Sequence, residues 1–363
     1  MNIQSASLGI LATPSKRYPP FSEKTHYAYL CAAGRKIGIN VFVFLPTEVD
    51  FENKMVTGYQ YNNYRWEKHL FPLPSFVYDR CSNRKKYRNQ IQQLKAKPSV
   101  VFLGHVLPNK WKNYQHMIQH SGLLPYIPPT ELIDSMHEIG QWLEDYQSVV
   151  IKPIQNSLGI GVMKIAQTDG YYTLQGRDYK NKILFKEFAD QAALYSWLHS
   201  HLKNKTMIQP YLSLCTDEGV PFDIRVLVQK GGNGKWKETG RAVRAGVKNG
   251  ITSNLCGGGK AFSVNEFLMK FFSQEEITEI NQTIDSIVSE LPSFIESRHG
   301  RLVELGIDIG VDKNGEVWII EINSKPGRAS FRKINKGAYY NQARLNPLKY
   351  AYFLSRNLVG VKE

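Results

Sequence analysis

Residues 304–312 read ELGIDIGVD and residues 316–323 read EVWIIEIN. These two apolar runs, each carrying carboxylate or amide side chains at fixed spacing, predict neighbouring strands. Alternate residues of a strand share a face, so Glu321 and Asn323 lie together and can meet Asp308 across the strand pair. Three oxygen donors on a rigid sheet suit Mg²⁺, a hard cation that draws its remaining ligands from water and phosphate. The competing reading is the polar outer face of a plain meander.

Working back along the chain, residues 222–228 (FDIRVLV) alternate charged and apolar side chains, which puts Asp223 and Arg225 on one face. A guanidinium fixed on a strand can clamp a phosphate or acyl phosphate in bidentate fashion. Arg241 and Arg244 fall on or just after the partner strand expected beyond the turn 231–234 (GGNG). For these arginines a surface salt-bridge ladder is the alternative. Farther back, residues 149–153 (VVIKP) predict a buried strand ending near Lys152, and a turn with Gly159 and Gly161 follows. Glycines let backbone N–H groups approach an anion closely, and the lysine adds a point charge. The GxxxxGK[ST] order of a Walker A loop is missing. Alone, Gly-x-Gly between strands is equally the mark of a hairpin.

The 363 residues exceed one typical domain. Hydrophobic residues make up 42%, aromatic 12% and charged 21%, which argues for a folded chain throughout. A net charge of +14 favours an anionic partner or acidic substrate without naming it. The densest basic run, residues 80–97, includes Arg84, Lys85, Lys86, Arg88, Lys95 and Lys97 and reads as a helix with Ile91 and Leu94 on its apolar face. A solvated helix face explains it better than a nucleic-acid patch. Residues 1–13 lack a basic segment ahead of an apolar one, and no run reaches the ~20 apolar residues of a membrane helix. The expectation is a soluble, cytoplasmic protein without a membrane partner. The four cysteines, Cys31, Cys81, Cys215 and Cys256, show no CxxC spacing, so reduced thiols and no structural metal are expected. The nine histidines are dispersed, and no Ser/His/Asp or Cys/His arrangement emerges.

Short apolar runs at 8–12, 41–45, 76–78 and 100–104 predict a small open α/β domain over residues 1–105. From residue 149 to 323, helices mix with strands in the manner of α+β units on largely antiparallel sheet. Residues 273–298 read as a long amphipathic helix, and the aromatic tail after 341 as a helix packed on the domain.

The order of motifs is lysine strand, glycine loop, Gln-Pro hinge, Asp-x-Arg strand, Asn254 before the glycines 257–259, Asp308, then Glu321 and Asn323. In this order the chain resembles the ATP-grasp superfamily. Within it, residues 208–327, ending in VWIIEINSKPG, are similar to the YheC/YheD type of endospore coat-associated protein. The resemblance covers residues 105–335 well and the N-terminal domain more loosely. It implies a pre-ATP-grasp α/β domain (1–105), then an ATP-grasp fold of two α+β subdomains. The first (106–215) would carry the glycine loop and adenine hinge, the second (216–340) the metal ligands, with a C-terminal helix at 341–363.

The same resemblance implies ATP and Mg²⁺ as cofactors. Lys152 matches the lysine on the nucleotide phosphates, and loop 157–161, with Ser157, Gly159 and Gly161, the glycine loop that covers them. Lys110 matches an earlier phosphate lysine, with Lys112 as rival. Gln209, Pro210, Tyr211 and Leu212 match the adenine hinge, Asp308, Glu321 and Asn323 the magnesium ligands, and Arg225 a phosphate-side arginine. Relatives often begin the hinge with an acid; with Gln209 there instead, the resemblance implies that ribose recognition either falls to Asp217 or Glu218 or is weaker. The implied chemistry is carboxylate–amine or carboxylate–thiol ligation through an acyl phosphate, with Lys152 and Arg225 stabilising the transferred group. Lys325, Arg328, Arg332, Lys333 and Lys336 either receive an acidic small-molecule or peptide substrate or form a solvated loop. Two alternatives are an ATP-binding coat or assembly protein without turnover, associated with other coat proteins at the forming spore, and a basic nucleic-acid binder. The latter is the weaker.

Overall fold

The computed structural model describes residues 6–155, 159–248, 250–251, 253, 258–332 and 334–358. Three sheets follow one another along the chain. The first contains β1 (Ser7–Leu11), β2 (Asn40–Asp50), β3 (Met55–Asn62), β4 (Arg65–Pro72), β5 (Phe76–Asp79) and β6 (Val101–Phe102), in the order β4-β3-β2-β1-β5-β6. The expected strands form its parallel part, β2-β1-β5-β6. The β3–β4 hairpin extends it in antiparallel sense and escapes sequence reading because β4 is largely solvent-facing, without a buried alternation.

Two helices belong to this part, α1 (Lys24–Lys36) and α2 (Arg88–Lys95). On α1 the buried residues His26, Tyr27, Leu30, Cys31 and Gly34 recur at helical spacing. Gly34 permits the closest approach to β2, since a Cβ there would sit 2.4 Å from Val41 Cγ2. The helix expected over 80–97 is shorter than predicted. Its basic leading segment is drawn inward: Arg80 pairs with Glu23 and Glu304, and Arg84 with Asp79.

The second sheet follows α3 (Lys110–Met117) and includes β7 (Glu131–Leu132), β8 (Ser148–Pro153), β9 (Met163–Thr168), β10 (Tyr171–Arg177), β11 (Ile183–Phe188) and β12 (Thr206–Pro210). Its order is β11-β10-β9-β8-β12-β7, antiparallel throughout. Helices α4 (Met136–Tyr146) and α5 (Gln191–His201) cover one face, where Ile139, Leu143, Leu194 and Leu198 pack on Val149, Ile151, Ile165 and Ile208.

The third sheet, β15-β14-β13-β16-β17, is also antiparallel. Its strands are β13 (Phe222–Lys230), β14 (Trp236–Ala245), β15 (Lys260–Phe262), β16 (Glu304–Val311) and β17 (Val317–Asn323), with α6 (Val264–Leu268) and α7 (Gln274–His299) between β15 and β16. The expected long helix is capped by Ser273, whose hydroxyl accepts from Glu276 N–H while the Glu276 carboxylate accepts from Ser273 N–H. Ile277, Ile280, Ile284, Ile287, Leu291 and Ile295 of α7 form the apolar side of this unit's core. The last helix, α8 (Ala338–Leu358), begins before residue 341 and inserts Leu348, Tyr350, Ala351 and Leu354 into the N-terminal core. Chain ends distant in sequence thus share one apolar cluster.

Candidate functional site

The faces of the second and third sheets turned away from their helices enclose a cavity of about 510 Å³. Strand alternation explains which side chains reach it. On β8, Val149 and Ile151 enter the core while Val150 and Lys152 line the cavity. On the third sheet Ile224, Val243 and Ile307 pack on the helical side, and Asp223, Arg225, Arg244 and Asp308 on the cavity side.

β17 departs from strict alternation. Asp308 pairs with Glu321 but Ile309 pairs with Ile319, leaving Ile320 as a bulge. The extra residue shifts the phase. Val317 and Ile319 before it and Ile322 after it all face the core, while Ile320, Glu321 and Asn323 line the cavity. An unbroken period of two would place Glu321 and Asn323 on the same side as Ile319.

Positive groups converge on these oxygen donors. Arg225 Nε donates to Asp308 Oδ1, and Arg225 Nη2 to Oδ2 at 3.1 Å. Arg244 reaches the same Asp308 at 3.0 Å and forms a second bidentate pair with Asp223, which also accepts from Ser253 Oγ. Burial pushes the Asp308 carboxyl up, but Arg225 and Arg244 outweigh it and hold it at about 2. Asp223 moves the other way: burial raises it, against the pull of Arg244. Lys110, at the start of α3, meets Glu321 Oε2 at 3.1 Å. Lys152 is buried, and burial, followed by the charge of Lys110, lowers its ammonium to about 7 against the opposing pull of Glu321.

At the other end of the cavity lie Gln209, Pro210, Tyr211 and Leu212. The Gln209 amide donates to Thr130 Oγ1, and Tyr211 N–H to Ser148 O at 2.9 Å, which anchors the segment to the second sheet. Lys164 Nζ stands 3.7 Å from the centre of the Tyr211 ring and fixes that ring as a wall.

Of the residues singled out from sequence, Lys110, Lys152, Gly159, Gln209, Tyr211, Leu212, Arg225, Asp308, Glu321 and Asn323 line this one cavity. Lys112 is exposed, whereas Lys110 faces inward. Gly161 adopts a left-handed φ of 76°, and a Cβ there would lie 2.8 Å from Pro153 Cγ, so it sets the turn beside the cavity. Ser157, Asn254 and Lys333 lie outside the described residues.

Asp217 and Glu218 are placed differently from the residues above. They occupy the exposed turn in which Gly219 N–H donates to Thr216 O, and neither is among the described residues lining the cavity. Arg241 forms the surface ladder, with Glu238 and Asp285. Of the cations after β17, Lys325 and Arg328 turn inward, Lys325 onto Asp79 and Cys81 O, and Arg328 onto Glu304. The feature sequence reading underrated is Arg244, a second guanidinium on Asp308; its signal was the apolar flank of Val243 and Ala245 around it.

The donor chemistry of Asp308, Glu321 and Asn323 fits a hard divalent cation, since all three offer oxygen and among the described residues no histidine or cysteine lines the cavity with them. They comprise two carboxylates and one amide; no group of three or more His, Cys, Asp or Glu side chains suited to a metal occurs among the described residues.

Residues 99–354 match the family described as YheC/D like ATP-grasp. The chain is 30% identical over 323 residues to the endospore coat-associated protein YheC of Bacillus subtilis (strain 168), covering 86% of this chain and 88% of that protein. It is 28% identical over 352 residues to YheD of the same organism, covering 95% and 77%. Among solved structures it is similar to a Chryseobacterium gregarium RiPP-associated ATP-grasp ligase in complex with ADP and a leader and core peptide, with TM-score 0.51, 12% identity and 97% of each chain covered. That likeness, together with the three-sheet architecture, establishes the fold as ATP-grasp.

Proposed function

The chain belongs to the YheC/D-like ATP-grasp family, and from that premise we propose that it binds ATP between its second and third sheets and uses it to ligate a carboxylate to an amine or thiol. One observation carries the reading: Lys110, Lys152, Arg225 and Arg244 converge with Asp308, Glu321 and Asn323 on a single cavity. A triphosphate needs such a concentration of cations, and a ligase that works through acyl transfer needs little side-chain nucleophilicity. The ADP bound by the similar ligase supports the nucleotide assignment.

Adenine would lie against the hinge of Gln209 to Leu212, and the phosphates would point toward Lys152 and Arg225. A carboxylate oxygen of the substrate attacks the γ-phosphorus and ADP leaves. The acyl phosphate is then attacked at its carbonyl carbon by an amine or thiol, which loses a proton as phosphate departs. Lys152 and Arg225 hold the transferring group in line and stabilise its negative charge. Mg²⁺, held by Asp308, Glu321 and Asn323, would supply charge neutralisation on the phosphate oxygens. The cations tied to Asp308 and Glu321 here would then turn toward the nucleotide.

A second reading, nucleotide binding without turnover in a coat or assembly role, draws on one observation: both oxygens of Asp308 are already engaged by Arg225. The names of YheC and YheD support a spore-coat setting for either reading. Among the described residues no helix is long and apolar enough to cross a membrane.

Calorimetric titration with ATP, with and without Mg²⁺, tests the proposal. Saturable binding that strengthens with Mg²⁺ is expected, followed by phosphate release with the right acid and amine. Binding without release under a broad screen favours the second reading, and no binding at millimolar ATP overturns both.

A further inference from the structure

Beside the main cavity lies a second, smaller chamber of about 30 Å³. Lys110, Lys152, Gln209, Ile320 and Glu321 border both spaces, so the two share a wall. Asn113 of α3 borders the chamber alone.

Asn113 is 5% exposed, and its Nδ2 donates to Pro108 O at 3.3 Å. A carbonyl oxygen can only accept, so this bond fixes which way round the amide stands. Its other end, Oδ1, is buried and has no partner among the described residues. Gln209 is oriented through an intermediary. The Thr130 hydroxyl gives its one proton to Pro128 O at 2.9 Å, so Thr130 Oγ1 must accept from its other neighbour, and the Gln209 amide meets it through Nε2. Gln209 Oε1 keeps no hydrogen bond among the described residues. Two amide oxygens, each set by a bond at the far end of its own amide, thus belong to residues bordering one small space.

The donors differ from one another. Lys110 is engaged by Glu321 at 3.1 Å. Lys152 is 8% exposed, feels Lys110 and Glu321 only as charges, and makes no side-chain hydrogen bond among the described residues. Buried polar atoms are almost always hydrogen-bonded. One donor and two acceptors around a space of this size complement a single water, which needs roughly 10–15 Å³ and typically makes about three hydrogen bonds. The two lysines disfavour a metal cation there, and the two acceptor oxygens disfavour an anion.

We propose that the chamber binds one water molecule, which accepts from Lys152 Nζ and donates to Asn113 Oδ1 and Gln209 Oε1, and that Asn113 is in this way a positioning residue for Lys152. A lysine ammonium sits on a flexible four-carbon stem. A water fixed to α3 and β12 holds one of its N–H groups and leaves the others for the main cavity. The consequence for ATP rests on the reading of Lys152 as a phosphate lysine; the water site does not.

The test compares the full chain with Asn113→Leu, which keeps the bulk of the side chain and removes its oxygen. Crystals grown without nucleotide, at a resolution that shows ordered water, should carry one peak within hydrogen-bond reach of Asn113, Gln209 and Lys152 in the wild type and none in the variant. By calorimetry the variant should bind Mg·ATP about tenfold more weakly and adenosine as well as the wild type does. Asn113→Met serves the same comparison if Asn113→Leu does not fold. A wild-type chamber without that peak, or a peak out of reach of Lys152, overturns the site. Equal losses for Mg·ATP and adenosine, or no loss for either, overturn the positioning role. If the wild type binds no Mg·ATP, the nucleotide reading fails and the peak alone decides the water site.

Discussion

Asp308 on β16 and Glu321 on β17 stand opposite one another in the antiparallel register, yet each is held by cations from a different place. Asp308 is locked within its own sheet by Arg225 and Arg244, whereas Glu321 meets Lys110 of α3 at 3.1 Å. The first pair is buried and braced on both sides; the second lies between the third sheet and the helix leading into the second. Their environments assign them different roles, and the variants below separate those roles.

Glu321→Gln should weaken Mg²⁺-dependent ATP binding by about tenfold or more, since a hard cation loses one of its two charged donors. The Glu321 side chain is 27% exposed, so thermal unfolding should change little. Calorimetry with and without Mg²⁺ measures the first effect. Identical Mg²⁺ dependence in wild type and variant would remove Glu321 from the metal set.

Lys152 should take up a proton when nucleotide binds. Free, its ammonium titrates at about 7; a phosphate beside it favours the charged form and raises that value. At pH 8 binding should therefore be accompanied by net proton uptake, visible as a dependence of the apparent enthalpy on buffer ionisation enthalpy. In Lys152→Ala that dependence should vanish, and ATP should weaken far more than adenosine. Equal losses for both ligands would move Lys152 away from the phosphates.

Arg225→Leu should destabilise the protein by roughly 2–4 kcal/mol, because it strips one partner from a buried carboxylate while Arg244 remains. Urea denaturation gives the value, and a change below about 0.5 kcal/mol would contradict the buried pairing. The same carboxylate sets an acid limit. With its folded pKa near 2 and its unfolded value near 3.8, Asp308 contributes stability that is present above about pH 4 and lost as the pH falls toward 2. Asp308→Asn should flatten the stability curve across that interval. An unaltered slope there would show that Asp308 is not depressed.

Glu304→Ala should be among the most damaging single changes, costing roughly 3–5 kcal/mol. Glu304 is 1% exposed and balances Arg80 from the N-terminal part and Arg328 from the post-β17 loop. Removing it leaves two buried guanidiniums without their common partner. Stability within 1 kcal/mol of wild type would show that the junction tolerates unpaired charge.

Much of the site could be read from local spacing. The lysine at the end of a buried strand, the Asp-x-Arg alternation and the Glu-x-Asn pair are patterns of a few residues, and each governs which of its own side chains share a face. Three things could not be read that way. The Ile320 bulge depends on how β17 aligns with β16, because an extra residue shows only against a partner strand. The partner of Arg225 is Asp308, 83 positions away, rather than nearby Asp223, which Arg244 occupies. The turn at Asp217 proved exposed, held by hydrogen bonds within a loop whose ends, Leu214 and Pro221, line the cavity.

From its sequence alone, then, strand alternation determined which side chains share a face, because that is a local property, and the motif order carried the resemblance that implied the fold and most of the candidate residues. Tertiary structure decided which charges neutralise one another, how the bulge turns Glu321 and Asn323 to the cavity, and that α8 completes the N-terminal core. Those outcomes depend on groups far apart in sequence, whose burial together makes pairing or its absence energetically decisive.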